Sequence, residues 1–259
     1  MNYRAALQRM AMVVKVNLAY RWNTIVAQIA PAITALFMIG LLRVTDFAGP
    51  AVAPASLAAY YCLLSGAVGA MVPAIWPDVF AEIRSGRVIH ALVRPFGYVA
   101  DLVWGGVGSA MYKLASGLLT MGCVALIARP ALSLSQLLMF LLLAVPALVL
   151  STLLSTLFSL SAFWLLDDTG PSFFVWYLAM FSSGAILPLR VMPLWAQRAF
   201  AALPFRYLID FPVTASIGML APRSVAVGLT VQVIWIGVSA LLISLVWSRG
   251  LRRLSLGGL

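Results

Sequence analysis

The chain has 259 residues, of which 63% are hydrophobic and only 9% are charged, and its mean hydropathy is +1.04. Soluble domains carry roughly 25% charged residues, so this composition excludes an ordinary soluble protein. Apolar runs of about 20 residues, long enough to cross a bilayer as helices, recur along the chain. The sequence therefore predicts an all-α, polytopic membrane protein with a single transmembrane domain. Its net charge of +10 bears on membrane orientation and anionic lipid headgroups, and nucleic acid is not an expected partner.

The N-terminal segment, residues 1–21, has the pattern of an amphipathic helix on the membrane surface. Its apolar residues fall within one arc of a helical wheel: Tyr3, Leu7, Met10, Val14 and Leu18. The alternative is an early start to the first span. That alternative would place Arg9 and Lys15 in hydrocarbon, at a cost of roughly 2.5–3.5 kcal/mol for each charge, so we expect an interfacial helix.

Six transmembrane spans are predicted, over residues 22–42, 55–76, 99–127, 134–166, 172–187 and 223–247. The fourth is too long for a perpendicular span, so it should tilt, protrude or bend at Pro146. Residues 188–222 are apolar but interrupted by prolines, which indicates a re-entrant or interfacial pair of short helices resting on the extracytoplasmic side of the bundle. Six spans put both termini on one side. The distribution of Lys and Arg predicts that this side is the cytoplasm, at the plasma (inner) membrane.

A charged stretch, residues 75–98, separates the second and third predicted spans. Pro77 suits a first helical position, apolar residues follow at helical spacing, and Ser85-Gly86 permits a sharp break. Residues 77–95 are therefore predicted to form one or two short helices on the membrane face. We expect Gly86 to adopt a backbone conformation that a Cβ would strain.

The order of these features resembles the permease subunit of ATP-binding-cassette exporters of the type-2 superfamily, over essentially the whole chain. Residues 82–95, EIRSGRVIHALVRP, are similar to the E-x-R-x-G-x-(four)-L-x-R-P motif of a little-characterised branch of that superfamily. Four later runs also fit that branch: Ser183-Gly184 to Pro188, Leu203-Pro204-Phe205, Phe211-Pro212 and Gln232 to Trp235.

The resemblance implies a half-transporter that dimerises with the same or a related permease and binds two ATPase subunits. Some relatives are associated with export of lipophilic or cationic toxic compounds. Residues 77–95 would then be the coupling region, with charges that pair with the ATPase and apolar side chains that fill a cleft in it. The alternative is a solvated turn with an amphipathic anchor. The expected coupling residues are Asp78, Phe80, Glu82, Ile83, Arg84, Gly86, Arg87, Leu92 and Arg94.

ATP hydrolysis requires a GxxxxGK[ST] loop, and Lys15 and Lys113, the only lysines, sit in no such context. We therefore expect no enzymatic activity and no bound cofactor in this chain, with ATP and Mg²⁺ held by the partner ATPase. His90 is the only histidine and lies in the predicted loop, so no metal site is expected. The predicted function is a permease that moves a lipophilic or amphiphilic compound out of the cytoplasm. The alternatives are a secondary carrier, a channel, or an intramembrane hydrolase that uses Lys113 as a base.

Lys113 is the one full charge near the middle of a predicted span. Asp101 is twelve positions away on the same segment, about 18 Å along a helix. An unpaired ammonium in hydrocarbon costs several kcal/mol unless it reaches water or an interface, or loses its proton. We therefore expect Lys113 and Tyr112, together with Ser183 and Gly184, to line the translocation path. Alternatively, Lys113 reaches an interface along its own four-carbon stem.

Overall fold

The computed structural model describes residues 3–44, 54–89, 97–130, 132–165 and 167–256, and every regular element within these ranges is helical. The α-helices are α1 Tyr3–Ala19, α2 Arg21–Val44, α3 Pro54–Met71, α4 Pro77–Arg84, α5 Tyr98–Ala128, α6 Leu134–Ser159, α7 Thr169–Ser182, α8 Leu194–Ala201, α9 Asp210–Ser216 and α10 Pro222–Leu256. Short 3-10 helices occupy Leu160–Phe163, Leu189–Val191 and Pro204–Tyr207. The all-α prediction is confirmed for these ranges.

Within the described ranges, four helical segments are long and apolar enough to cross a membrane: Arg21–Leu42, Tyr98–Ala128, Leu134–Phe163 and Pro222–Arg253. The apolar helix Leu57–Met71 is shorter. The 14 residues of α7 extend about 21 Å at 1.5 Å per residue, less than the hydrocarbon core of about 30 Å. The chain is a helical membrane protein, and the count of six spans stays a prediction.

The second predicted span, 55–76, is interrupted before its end. Helix α3 stops at Met71, because Pro73 disfavours the helical conformation at the residue before it. The backbone N–H groups after Pro73 are hydrogen-bonded by serines of α6. Ala74 N–H donates to Ser155 Oγ at 3.1 Å, and Trp76 N–H donates to Ser159 Oγ at 2.9 Å. The extended segment 72–76 is thereby fixed along α6 and leads directly into α4.

Helix α6 belongs to the most buried of the long segments, since 56% of the most apolar 18-residue stretch of that segment is buried. Its start is capped by a reciprocal pair of hydrogen bonds between Ser133 and Gln136, the arrangement known as a capping box. The helix continues through Pro146 and ends in the 3-10 turn Leu160–Phe163. The helix is thus continuous at Pro146, and the last helical residue is Phe163, whereas the predicted span extended to 166. Whether the segment tilts, protrudes or bends stays a prediction.

Glycines allow α5 to approach two neighbouring helices closely. A Cβ on Gly117 would lie 2.1 Å from the carbonyl oxygen of Gly66, so α3 and α5 meet backbone to backbone. A Cβ on Gly108 would lie 2.9 Å from Met10 Cα, which places α1 directly against α5. Such contacts between small residues replace the hydrophobic driving force that is absent inside a bilayer. Helix α1 is thus a separate element docked on α5.

Residues 188–222 form short helices separated by turns, as the prolines predicted. Every residue of α9 is buried, and this helix packs against α3, α6 and the 3-10 turn Pro204–Tyr207. The backbone of Arg190 and Met192 is tied to α8 by the Gln197 side chain, which donates to both carbonyl oxygens. The segment rests on the bundle, and its re-entrant character stays a prediction.

Candidate functional site

Helix α4 is anchored by one apolar face and presents a charged face outwards. Val79, Phe80 and Ile83 are buried at 2–4% exposure, packed on the 3-10 turn Leu160–Phe163 and on α6. Asp78 and Arg84 are exposed. The chain's own core therefore buries Phe80 and Ile83, the two side chains that were expected to fill a cleft in a partner, and their part in coupling stays a prediction.

The C-terminal end of α4 forms a sharp turn stabilised by local hydrogen bonds. Gly86 has a φ of 71°, as the sequence predicted, in the left-handed region that residues with a Cβ rarely adopt. Arg87 donates from Nε to Ser85 Oγ at 2.9 Å. The remaining predicted coupling residues, Leu92 and Arg94, lie outside the described residues, as does His90.

Glu82 connects α4 to the bundle. Its carboxylate accepts a hydrogen bond from the Tyr98 hydroxyl at 2.8 Å, and the Tyr98 ring stacks on Trp247 of α10 at 5.3 Å between centroids. The predicted role of Glu82 was to meet a basic group of another subunit. Within the chain, this carboxylate links α4 to the first turn of α5, and the Tyr98 ring extends that link to α10.

A cavity of about 470 Å³, with a lining that is about half polar, begins beside α4 and extends along α5. We call it the polar furrow. Its walls come from α1, α3, α4, α5 and α6 and from the segment 72–76. The charged and hydroxyl-bearing residues that line it are Arg9, Asp78, Glu82, Tyr98, Asp101, Ser109, Lys113, Ser151, Thr152 and Ser155. The furrow therefore joins the predicted coupling residues to Lys113.

An ion pair between α1 and α5 forms part of the furrow wall. Arg9 Nε lies 2.8 Å from Asp101 Oδ1, and the two side chains are 33% and 21% exposed. Sequence analysis did not predict this pair. The available signal was Gly105, where an added Cβ would lie 3.3 Å from Arg9 Nε. Small residues one turn from a carboxylate leave room for a long basic side chain from a neighbouring helix.

A second cavity of about 440 Å³ lies between α2, α3 and α7 and is predominantly apolar. We call it the apolar chamber. Thr34 and Ser65 contribute hydroxyls, and Trp176 and Met180 of α7 form one wall. Lys113 also lines this chamber, together with Val72 and Ala74, and these same three residues line the polar furrow. Lys113 therefore lies where the two cavities meet.

The four predicted path residues do not form a single site. Lys113 is exposed and forms no salt bridge within the described part of the chain. Tyr112 lines neither the furrow nor the chamber. Ser183 is fully buried, and Gly184 contacts α3 and α9, so both belong to a different cluster. Ala185, the next residue, borders the apolar chamber.

That cluster surrounds Asp210, which sequence analysis missed. Asp210 is 1% exposed; its carboxylate accepts from the Leu189 N–H at 3.3 Å and lies 3.4 Å from Arg206 Nε. Its backbone N–H donates to the Ser183 carbonyl at 2.9 Å, and Tyr60 donates to the Gly184 carbonyl at 2.8 Å. Burial raises the pKa of Asp210 above 3.8, and Arg206, the Leu189 N–H and Arg190 offset part of that effect. The cluster fastens the segment 188–222 to α3 and to the end of α7.

The comparisons with known proteins agree with this architecture. A family model described as an ABC-2 family transporter protein matches residues 23–258, a range that begins within α2 and includes every later helix. No curated protein and no solved structure is significantly similar to the chain. Because the match spans most of the sequence, the chain belongs to the ABC-2 family of membrane transporter proteins, whose membrane components imply an ABC ATPase partner.

Proposed function

We propose that this chain is the permease subunit of an ATP-driven exporter that moves a lipophilic or amphiphilic compound out of the cytoplasm. ATP and Mg²⁺ would be held by two separate ATPase subunits, and a second permease of the same or a related kind would complete the transporter. The E-x-R-x-G motif at residues 82–86 supports assignment to the little-characterised branch of the superfamily that carries this motif.

The proposal is supported mainly by the way in which α4 packs against the rest of the chain. Its apolar face is buried in the chain's own core, whereas Asp78 and Arg84 of α4 and Arg87 of the following turn are exposed. Because α4 is packed on the 3-10 turn Leu160–Phe163 and on α6, a displacement of α4 by a bound partner would also displace these elements. In the proposed function the ATPase binds the charged side, and Glu82 passes the displacement to α5 through Tyr98.

We predict that Glu82→Ala and Gly86→Leu lower transport-linked ATPase stimulation while the chain remains in the membrane. The first substitution removes the carboxylate that joins α4 to Tyr98, and the second strains a backbone with φ of 71°. Strain of this kind costs roughly 1–3 kcal/mol, enough to shift the turn after α4. The measurement is ATP hydrolysis by the complex that co-purifies with the tagged chain, normalised to the amount of permease.

Gly218→Leu is the matched control, because it introduces the same type of strain, with φ of 77° at Gly218, at a turn outside α4. Tyr98→Phe removes the hydrogen bond to Glu82 and keeps the carboxylate, so it should lower the stimulation as Glu82→Ala does. Equal ATPase stimulation in the wild type, Glu82→Ala and Gly86→Leu would reduce α4 to a solvated turn. Transport that persists when the ATPase's nucleotide-binding lysine is substituted would favour the alternative function of a secondary carrier.

A further inference from the structure

The position of Lys113 between two unlike cavities is the starting observation. The polar furrow of about 470 Å³ and the apolar chamber of about 440 Å³ share Val72, Ala74 and Lys113 in their walls. Each volume falls in the range of roughly 300–1,000 Å³ that is typical of ligand pockets. A molecule that fills both would pass the Lys113 side chain at the point where its surroundings change from polar to apolar.

The charges along the furrow are not evenly distributed. Asp78 and Glu82 lie at the end formed by α4, and Asp101 is already paired with Arg9 at 2.8 Å. Lys113 stands twelve residues beyond Asp101 on α5, about 18 Å at 1.5 Å per residue, and forms no salt bridge within the described residues. The Lys113 ammonium would therefore be stabilised by an anion, and the described residues do not provide one.

The apolar chamber offers a different environment on the far side of Lys113. Its surroundings are mainly aliphatic and aromatic, with Leu64 and Val68 from α3 and Trp176 and Met180 from α7. Methionine is unbranched and polarizable, so such a wall adapts to flexible chains. The chamber thus suits a hydrocarbon tail, whereas a second ionised group would lose its hydration there.

Together, these features lead to an inference that rests on the proposed function and specifies its substrate class. We propose that Lys113 binds the anionic group of a single-chain amphiphile, with the apolar tail in the chamber and any further polar part in the furrow. A purely cationic amphiphile meets repulsion from Lys113 at the junction.

The binding experiment uses the full chain, purified into nanodiscs of zwitterionic lipid, and three fluorophore-labelled probes with the same chain. These are a dodecyl phosphate, a dodecyl trimethylammonium and a dodecyl maltoside. Lys113→Met is expected to weaken dodecyl phosphate binding by about 10- to 100-fold, the range that corresponds to losing a hydrogen bond between charged groups. Binding of the maltoside should be unchanged, and Lys113→Arg should retain phosphate binding.

A matched control is Lys15→Met. It makes the same chemical change on α1, where Lys15 is exposed and lines neither cavity. This variant should bind all three probes as the wild type does. Unchanged phosphate binding in Lys113→Met would overturn the inference. Equal losses for all three probes in Lys113→Met would also overturn it, because they would indicate damaged packing.

The position of the tail is tested separately by fluorescence quenching. A dodecyl phosphate brominated at its chain end should quench the tryptophan fluorescence of the wild type, and Trp176→Phe should abolish that quenching. Trp76→Phe, which alters the furrow wall, should leave it in place. Quenching that depends on Trp76 and not on Trp176 would contradict the proposed orientation.

A single-chain membrane lipid with a phosphate group and a transported compound both provide this chemistry. Mass spectrometry of lipids that co-purify with the wild type and not with Lys113→Met would identify a resident lipid. Release of bound dodecyl phosphate on addition of ATP to the complex with its ATPase would identify a transported ligand. The binding measurements need no ATPase. A chain that binds dodecyl phosphate but recruits no ATPase would therefore contradict the proposed function and leave the role of Lys113 in binding intact.

Discussion

At the scale of single residues, Asp210 combines near-complete burial with a charge. It accepts a hydrogen bond from Leu189, lies near Arg206, and sits beside Gly184, where an added Cβ would approach it to 3.0 Å. Gly184 itself has φ of 81°. The glycine turn after α7 and the carboxylate of α9 are therefore packed against each other. A larger residue at 184 would strain the backbone and displace the Asp210 side chain.

We predict that the stability of the protein depends on pH through Asp210. Burial raises the pKa of this carboxyl above 3.8, so the folded state holds the proton more tightly than the unfolded chain does. The stability that this proton contributes is present below pH 3.8 and is lost as the pH rises through the raised pKa. Asp210→Asn should flatten that part of the Tm profile measured between pH 3.5 and 7.

The comparison for this prediction is Asp78→Asn, which neutralises an exposed carboxylate on α4. Its Tm profile should keep the slope of the wild type. If Asp210→Asn retained that slope as well, the pH dependence would arise elsewhere. If the Tm of the wild type rose with pH and that of Asp210→Asn did not, Arg206 would affect the pKa of Asp210 more than burial does.

At the scale of helices, the contact between α3 and α5 determines how closely the bundle packs. The backbones meet at Gly66 and Gly117, and Cys62 donates from Sγ to the Met121 carbonyl one turn further along, at 3.7 Å. Gln28 of α2 reaches the same part of α5 and donates from Nε2 to Ser116 Oγ at 3.3 Å. This stretch of α5 therefore contacts both α2 and α3, which line the apolar chamber together with α7.

We predict that Gly117→Val destabilises the fold, because its Cβ would lie 2.1 Å from the Gly66 carbonyl oxygen. The helices would have to separate, and overpacking of this kind costs roughly 1–3 kcal/mol. The measurement is the Tm of the purified chain in detergent. Gly122→Val is the matched control on the same helix, since nothing lies within 4 Å of a Cβ added there. Equal Tm values for the two variants would contradict the close approach.

At the scale of the whole molecule, α4 and the segment 188–222 occupy separate parts of the fold. Helix α4 packs on the 3-10 turn Leu160–Phe163, after the C-terminal end of α6. Through Asp210, the segment 188–222 is hydrogen-bonded to Ser183 in the turn after α7, and the same turn accepts a hydrogen bond from Tyr60 of α3. The proposed orientation places α4 and both termini in the cytoplasm and the segment 188–222 on the other side of the membrane.

We predict that an impermeant thiol reagent modifies Arg198→Cys from outside intact cells and does not modify Ser85→Cys. Both positions are exposed on the chain, so a difference in labelling reports the side of the membrane. The background must lack Cys62 and Cys123, which are free thiols, the second of them exposed. Labelling of Ser85→Cys from outside, with protection of Arg198→Cys, would reverse the proposed orientation.

Local chemistry along the chain was sufficient to predict the class of protein and the kinds of its elements. Hydropathy over about 20 residues identifies membrane helices, and prolines predicted the broken segment 188–222. Pro77 and Gly86 predicted the start and end of α4, because each acts through its own backbone dihedral angles. The resemblance to the type-2 superfamily, built on the order of features along the chain, agreed with the ABC-2 family match over residues 23–258. The branch indicated by residues 82–95 stays a prediction.

The tertiary structure alone decided which side chains meet. Hydropathy does not distinguish a lipid-facing residue from a bundle-facing one, since lipid tails are as apolar as leucine. Consequently the sequence did not reveal that Phe80 is buried in the chain's own core, that Arg9 pairs with Asp101, or that Asp210 is enclosed. Lys113 was recognised from its charge, but its place between a polar and an apolar cavity depends on helices far apart in sequence packing around it.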